Sequence, residues 1–404
     1  MMLELTPTLG LEGGSSMSKV LLRNIGTLVS GRIEAPILEA DALWIEGGKI
    51  ARVGSMSDMS ESEAQLVIDC LGTTVTPGLM DSHCHPVLGD FTPRQNQLGF
   101  MDSGVHGGVT TFISAGEVHL PGRPKDPAGT KALAILAAKS FAGFRPGGAK
   151  VLGGALILER GLVEQDFEEA AREGVRVVGE IGLGAVKSPE EAAPMVRWAR
   201  KHGMTVMMHT GGTSIPGSAT VGADQVMAID PDVVSHINGG TTAMSMAEVE
   251  KLITKTSYAL EIVHCGNMKV AVEAARLIVD QKAMHRVIIG NDAPSGTGVV
   301  PLGILRVINL LASLTPIKPE EAICMATGNT ARVHKLPRGI IAVGKEADLV
   351  IMDAPLGSVG GDALSAIAAG DCPGVAMVLV DGEVVVNKSR NTPPATRQAS
   401  LVRR

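Results

Sequence analysis

Eight short apolar runs alternate with helix-like segments through the middle of this chain, and five of the runs end in residues able to bind divalent metals. The runs cover residues 75–85, 109–115, 151–158, 175–180, 205–209, 232–236, 258–264 and 286–292. Strands that alternate with helices at this spacing predict a parallel sheet, and eight such units fit a closed (β/α)₈ TIM barrel. An open, doubly wound sheet is the alternative. It is disfavoured because the donors end the first, fourth, fifth, sixth and eighth runs, and closing the sheet brings those ends to one mouth. Helix boundaries support the alternation. Ser188-Pro189-Glu190-Glu191 and Ser245-Met246-Ala247-Glu248 carry capping-box spacing, and Gly174 and Gly203 are placed to close helices.

Both ends of the chain read as strands. Residues 41–55 contain two β-type runs separated by Gly47-Gly48, and residues 376–389 contain an Asp381-Gly382 turn. Residues 339–353 add another strand. These features predict a small discontinuous β-sandwich domain from residues 17–76 and 339–404, enclosing a barrel domain of residues 77–338. Residues 1–16 read as a flexible leader; with no basic start and no sustained apolar run, they do not form a secretion signal.

Composition excludes several partner classes. The net charge is −6, no basic stripe runs along the chain, and aromatic residues make up 2%, so the pattern does not suit nucleic acid. No segment approaches the roughly 20 apolar residues of a membrane-spanning helix. The five cysteines are odd in number and form no CxxC pair, which predicts reduced thiols in a soluble, cytoplasmic protein.

The donors are His83 and His85 in LMDSHCHP, Glu180 in VRVVGE, His209 in TVMMH, His236 in DVVSH and Asp292 in RVIIGND. Alternation along a strand points His83 and His85 the same way, with Cys84 on the opposite face. Four imidazoles and two carboxylates, with no thiolate, suit two hard-to-borderline divalent cations such as Zn²⁺, Fe²⁺ or Mn²⁺. A carboxylate has two oxygens, so Glu180 can bridge a metal held by His83 and His85 and another held by His209 and His236. Asp292 can touch a metal and a water together and take the proton from that water. The expected chemistry is therefore metal-dependent hydrolysis, with Asp292 as catalytic base. A barrel that has lost catalysis and serves as a scaffold is the reading from another class.

The remaining polar residues divide into two groups. His202, at the end of a helix, is expected to be structural, His106 to pack, and His285 and His334 to lie at the surface or at helix ends. His119, after the second run, and His264, at the end of the seventh, are candidates to touch substrate. Arg94, Arg123 and Lys125 are candidates to hold a substrate carboxylate, a group that the planar fork of arginine matches.

These strings are also familiar as a set. VTPGLMDSHCH, the late His209 and His236, the GND containing Asp292 and the return segment GKEADLVIMD resemble the amidohydrolase superfamily over nearly the whole chain. HGGVTTFISAGE, PGRPKDPAGTKALA, HTGGTSIPGS, VVSHINGG and GNDAPSGTG more narrowly resemble its enamidase group, the cyclic-amide hydrolases of nicotinate fermentation. The resemblance implies a barrel with an N/C-terminal β-sandwich, two metals (zinc, with iron as the other choice) and a homotetramer. It maps the ligands onto His83, His85, His209, His236, Glu180 and Asp292. Many members bridge their metals with a carboxylated lysine, but the fourth run here ends in Glu180. The implied substrate is a small cyclic amide bearing a carboxylate, such as 6-oxo-1,4,5,6-tetrahydronicotinate, opened to 2-formylglutarate and ammonia. Another lactam hydrolase, of hydantoinase or dihydropyrimidinase type, is the alternative. Two departures from the group bear on substrate: EIVHCGN carries His264 where a glutamine is usual, and Glu117-Val118-His119-Leu120 replaces an SPHF-type loop.

Overall fold

The computed structural model describes residues 19–86, 97–118, 120, 122–213, 218–240, 242–294 and 300–403. The leader at 1–16, Arg94 and His119 lie outside the described residues.

The N-terminal segment forms seven strands: β1 (Lys19–Arg23), β2 (Thr27–Val29), β3 (Ile37–Leu38), β4 (Ala42–Glu46), β5 (Lys49–Gly54), β6 (Leu66–Asp69) and β7 (Thr74–Pro77). Eight more follow through the middle: β8 (Leu79–Cys84), β9 (Val109–Ser114), β10 (Lys150–Leu152), β11 (Val177–Ile181), β12 (Thr205–Met208), β13 (Val233–Val234), β14 (Ala259–Val263) and β15 (Val287–Gly290). The C-terminal segment adds β16 (Leu349–Asp353), β17 (Gly374–Val380), β18 (Glu383–Val386) and β19 (Ser400–Arg403).

Strands from the two ends interleave in two sheets, ordered β19-β6-β1-β4-β5 and β18-β17-β16-β7-β2-β3. One apolar cluster is drawn from both sheets, including Leu22, Leu43 and Ile68 from the first and Val75, Leu349 and Met377 from the second. The β4–β5 turn uses Gly47 and Gly48 at φ 57° and 77°, and the β17–β18 turn uses Asp381 and Gly382 at φ 49° and 76°. Both pairs match the left-handed backbone that a tight hairpin needs.

The middle strands pair in parallel as β10-β9-β8 and β11-β12-β13-β14-β15. Parallel bridges Leu156–Val178 and Cys84–Ala293 link the two groups at both junctions. Backbone hydrogen bonds reinforce each junction: Leu156 N to Val177 O at 2.9 Å, and His85 N to Ala293 O at 2.9 Å. Side chains on alternate sides of these strands go to different cores. Ile113, Ala155, Val177, Met207, Val233, Ala259 and Ile288 form one inner cluster. Val178, Val206, Val234, Leu260 and Ile289 instead join the larger cluster against the helices.

Two helix starts follow the capping rules read from the sequence: Ser188 accepts from Glu191 N and Ser245 from Glu248 N. Asn267 caps a further helix in the same way, accepting from Val270 N. Two expected strands differ most in extent. The run at 75–85 divides at Gly78, where a Cβ would lie 2.1 Å from Thr110 Oγ1, so β7 joins the terminal sheet and β8 the parallel one. The run at 151–158 stops at Leu152 because Gly153 and Gly154 pass tightly over a helix; a Cβ on Gly154 would stand 2.0 Å from Ala134 O. His334 ends a helix, as expected, and is buried there at 6% exposure. His285 is exposed as expected. His106 does more than pack, because the backbone N–H of Arg390 donates to its Nδ1 at 3.2 Å and ties the C-terminal segment to it.

Candidate metal centre

The side chains of His83, His85, Glu180, His209, His236 and Asp292 converge at the C-terminal ends of the parallel strands, and all six are buried. Simple alternation delivers some of them. Asp81, His83 and His85 share one face of β8 and its extension, His209 continues the inward parity of Met207, and Asp292 that of Ile288. Glu180 and His236 have the wrong parity and are turned inward by local irregularities. A register shift lies between Val178 and Ile181, and His236 adopts φ 36°. Asp292, at φ 56°, is also left-handed. Gly290 leaves room for the neighbouring ring, since a Cβ there would lie 2.7 Å from His83 Cβ.

The donor atoms form two linked groups. His83 Nε2 is 3.3 Å from His85 Nε2, 3.4 Å from Glu180 Oε2 and 3.6 Å from Asp292 Oδ1. His85 Nε2 lies 3.6 Å and 3.4 Å from the same two oxygens. Tetrahedral zinc with bonds of about 2.0–2.1 Å places its ligand atoms roughly 3.3 Å apart, so these separations fit one cation. The other Glu180 oxygen, Oε1, is 2.7 Å from His236 Nε2 yet makes no hydrogen bond among the described residues, and His236 Nε2 is 3.2 Å from His209 Nδ1. One carboxylate thus faces both histidine pairs.

Hydrogen bonds fix the rings. His83 Nδ1 lies 2.7 Å from Glu261 Oε2, whose carboxylate also accepts from Ser82 Oγ and from His236 N. His85 Nδ1 donates to Gly116 O at 3.0 Å and His209 Nε2 to Gly212 O at 2.9 Å. Such partners set the tautomer that leaves the other nitrogen free to ligate. Asp81 Oδ1 accepts from the backbone of His83 and Asn291, joining β8 to the strand end that carries Asp292.

The electrostatics follow from this crowding. Burial opposes charge on His83, but Glu180, Glu261 and Asp292 outweigh it and hold the ring well above its ordinary value. Burial likewise opposes charge on Glu180, and His83 and His236 overcome it and hold the carboxyl well below the usual range. His209 is pushed down by burial and by His236. Concentrated acceptor charge of this kind is what a bound cation neutralises.

Of the other residues singled out in the sequence, Arg123 donates to Glu159 at 3.0 Å and lines a cavity of about 520 Å³ with Lys125, Lys187 and Leu183. His264 follows the end of β14, half-buried, with Nδ1 buried and unpartnered among the described residues. Glu261 and Asp81 were not recognised as site residues from the sequence. The available signal for Glu261 and Asp81 was an acid within an apolar run, at the parity of Ala259 and of His83 respectively. A further acidic group, Glu346, Asp348 and Asp381, is already filled by the Lys150 ammonium at 2.6, 2.9 and 2.6 Å.

The amidohydrolase family model matches residues 74–385. The enamidase of Eubacterium barkeri is 58% identical over 386 residues, spanning 96% of this chain and 100% of that protein. An imidazolonepropionase of Geobacillus sp. (strain WCH70) is 26% identical over 84% of this chain and 92% of its own length. The crystal structure of enamidase superposes with a TM-score of 0.93 over 95% of this chain and 100% of that one, at 58% identity. A β-aspartyl dipeptidase from Fervidobacterium islandicum AW-1 shares the fold, with a TM-score of 0.66 at 19% identity over 96% of this chain and 100% of that one. Matched through most of its length, and with its histidines and carboxylates gathered at the strand ends, the chain belongs to the amidohydrolase family.

Proposed function

We propose that this enzyme hydrolyses the ring amide of a cyclic enamide bearing a carboxylate, of the 6-oxo-1,4,5,6-tetrahydronicotinate type, with two divalent metals. The observation that carries the chemistry is Glu180, whose two oxygens face different histidine pairs at 3.4 Å and 2.7 Å. The substrate class rests on the 58% identity to a full-length enamidase. The two parallel bridges support a closed (β/α)₈ barrel for residues 77–338. The cluster shared by the terminal sheets supports a β-sandwich of residues 17–76 and 339–404.

In this reading His83, His85, Glu180 and Asp292 hold one ion, and Glu180, His209 and His236 hold the other, zinc or iron at each. Metals so held supply Lewis acidity and lower the pKa of bound water. Glu261 keeps His83 in the ligating tautomer. Asp292 takes the proton from the attacking water and delivers it to the ring nitrogen as the C–N bond breaks. The freed enamine tautomerises to an imine, and a second water releases ammonia and leaves the aldehyde. Arg123 and His264 are taken as candidate contacts to the substrate, as are Arg94 and His119 on the sequence pattern. Assembly as a cytoplasmic homotetramer completes the reading.

The test is ammonia release by the metal-loaded enzyme. The cyclic enamide should yield ammonia while hydantoin and dihydropyrimidine substrates do not. Turnover of hydantoin with an inert enamide would reverse the substrate assignment. Among the described residues no helix is long and apolar enough to cross a membrane.

A further inference from the structure

The backbone at His236 shows how that ring is turned into the centre. β13 and β14 pair in parallel, with Val233 opposite Ala259 and Val234 opposite Leu260. A regular parallel ladder would continue by giving Glu261 O to His236 N. Instead Ile237 N takes that carbonyl at 2.7 Å, one residue late, and His236 sits in the slack at φ 36°. The extra residue is a bulge, which reverses side-chain parity and aims the His236 ring inward. It also parts the His236 N–H from its ladder acceptor at a buried position, where such a group needs another. The Glu261 carboxylate supplies it: His236 N donates to Oε2 at 3.3 Å.

The same oxygen lies 2.7 Å from His83 Nδ1. Glu261 follows the inward parity of Ala259, is fully buried, and accepts from Ser82 Oγ through Oε1. Glu180 meets the same two histidines from the other side, with Oε2 3.4 Å from His83 Nε2 and Oε1 2.7 Å from His236 Nε2. Glu180 therefore faces the ligating nitrogens, while Glu261 holds the ring of one histidine and the backbone of the other.

We infer that Glu261 is a positioning residue for both halves of the metal centre: one carboxylate orients the His83 ring and accepts the N–H that the bulge at His236 displaces. This rests on the two-metal reading above and extends it, since both sites should weaken together when Glu261 is lost.

The experiment measures zinc affinity by chelator competition for wild type, Glu261→Leu and Glu261→Gln. Elemental analysis counts the metal per chain, and circular dichroism follows the folding of the metal-free proteins. Glu261→Leu should weaken the binding of both zinc ions by about 10- to 100-fold. Glu261→Gln keeps one oxygen for the two N–H groups and can turn its amide NH₂ to Ser82 Oγ, so both affinities should stay within about threefold of wild type. Unchanged binding by Glu261→Leu would overturn the role, and so would weakening of one ion alone. A Glu261→Gln protein no better than Glu261→Leu would overturn it as well. Should Glu261→Leu fail to fold, Glu261→Asp replaces it, because that change keeps the charge and withdraws the oxygens by one carbon–carbon bond. It should weaken both ions by at least about tenfold, and wild-type affinity at either ion would contradict the inference. A wild type that binds fewer than two zinc ions would instead reject the two-metal reading, and this inference with it.

Discussion

Asp292 combines a left-handed backbone, near-complete burial and a carboxylate oxygen 3.4 Å from His85 Nε2. Strain of that kind persists where the surroundings fix a side chain for a task. Replacing Asp292 by Asn keeps the shape and removes the proton acceptor. We expect metal to stay bound and kcat to fall by about 10²- to 10⁴-fold; near-wild-type kcat would refute the base assignment. His334 has a different role, at the opposite end of the parallel strands, where its neighbours Val333 and Leu336 pack under the inner cluster. Both its ring nitrogens are buried without partners among the described residues, and burial, aided by Lys335, pushes its pKa down to about 4. The unfolded chain, with a value of about 6.5, takes up the proton first, so stability falls as pH drops from about 6.5 towards 4. Between pH 7 and 4.5 the wild type should lose about 2 kcal/mol more than His334→Leu in urea denaturation. Parallel pH profiles for the two proteins would contradict that.

At the scale of elements, the strand ends carry the chemistry and the glycines set where strands stop. Gly154, at φ 79° and with Ala134 O only 2.0 Å from where a Cβ would lie, lets β10 turn away over its helix. Gly154→Ala should cost about 1–3 kcal/mol in thermal or denaturant unfolding; an unchanged midpoint would show that the helix yields freely. These details mark how far the sequence could be read. His83, His85, His209 and Asp292 were legible because each ends an apolar run at inward parity. Glu180 and His236 could be placed at strand ends, but the bulge and the positive φ that aim them are tertiary features with no signature of their own. Glu261 was missed because an acid inside a strand is ordinary when that strand has one solvated face, and only closure of the parallel sheet buries it against His83. The pairing of β1 with β6 and of β6 with β19 joins distant parts of the chain, and hairpin signals alone could not specify it.

At the scale of the whole molecule, one lysine ties the parallel strands to the terminal sheets. Lys150 Nζ on β10 contacts Glu346 at 2.6 Å, Asp348 at 2.9 Å and Asp381 at 2.6 Å, while Arg338 reinforces Glu346 at 2.7 Å. Lys150 and Asp348 side chains are 7% and 1% exposed, so removing the ammonium leaves acids buried without compensation. Lys150→Met should lower unfolding stability by about 3–5 kcal/mol, measured by denaturant titration at neutral pH; a loss under about 1 kcal/mol would mean the network behaves as a surface pair.

The two-cation centre is the claim on which the proposed chemistry depends. Anomalous diffraction from crystals of the metal-loaded protein, collected at the zinc and iron edges, tests it directly. The account predicts two peaks about 3.5–4 Å apart, one on each side of the Glu180 carboxylate. A single peak, or density beside Glu346 and Asp348 instead, would contradict it.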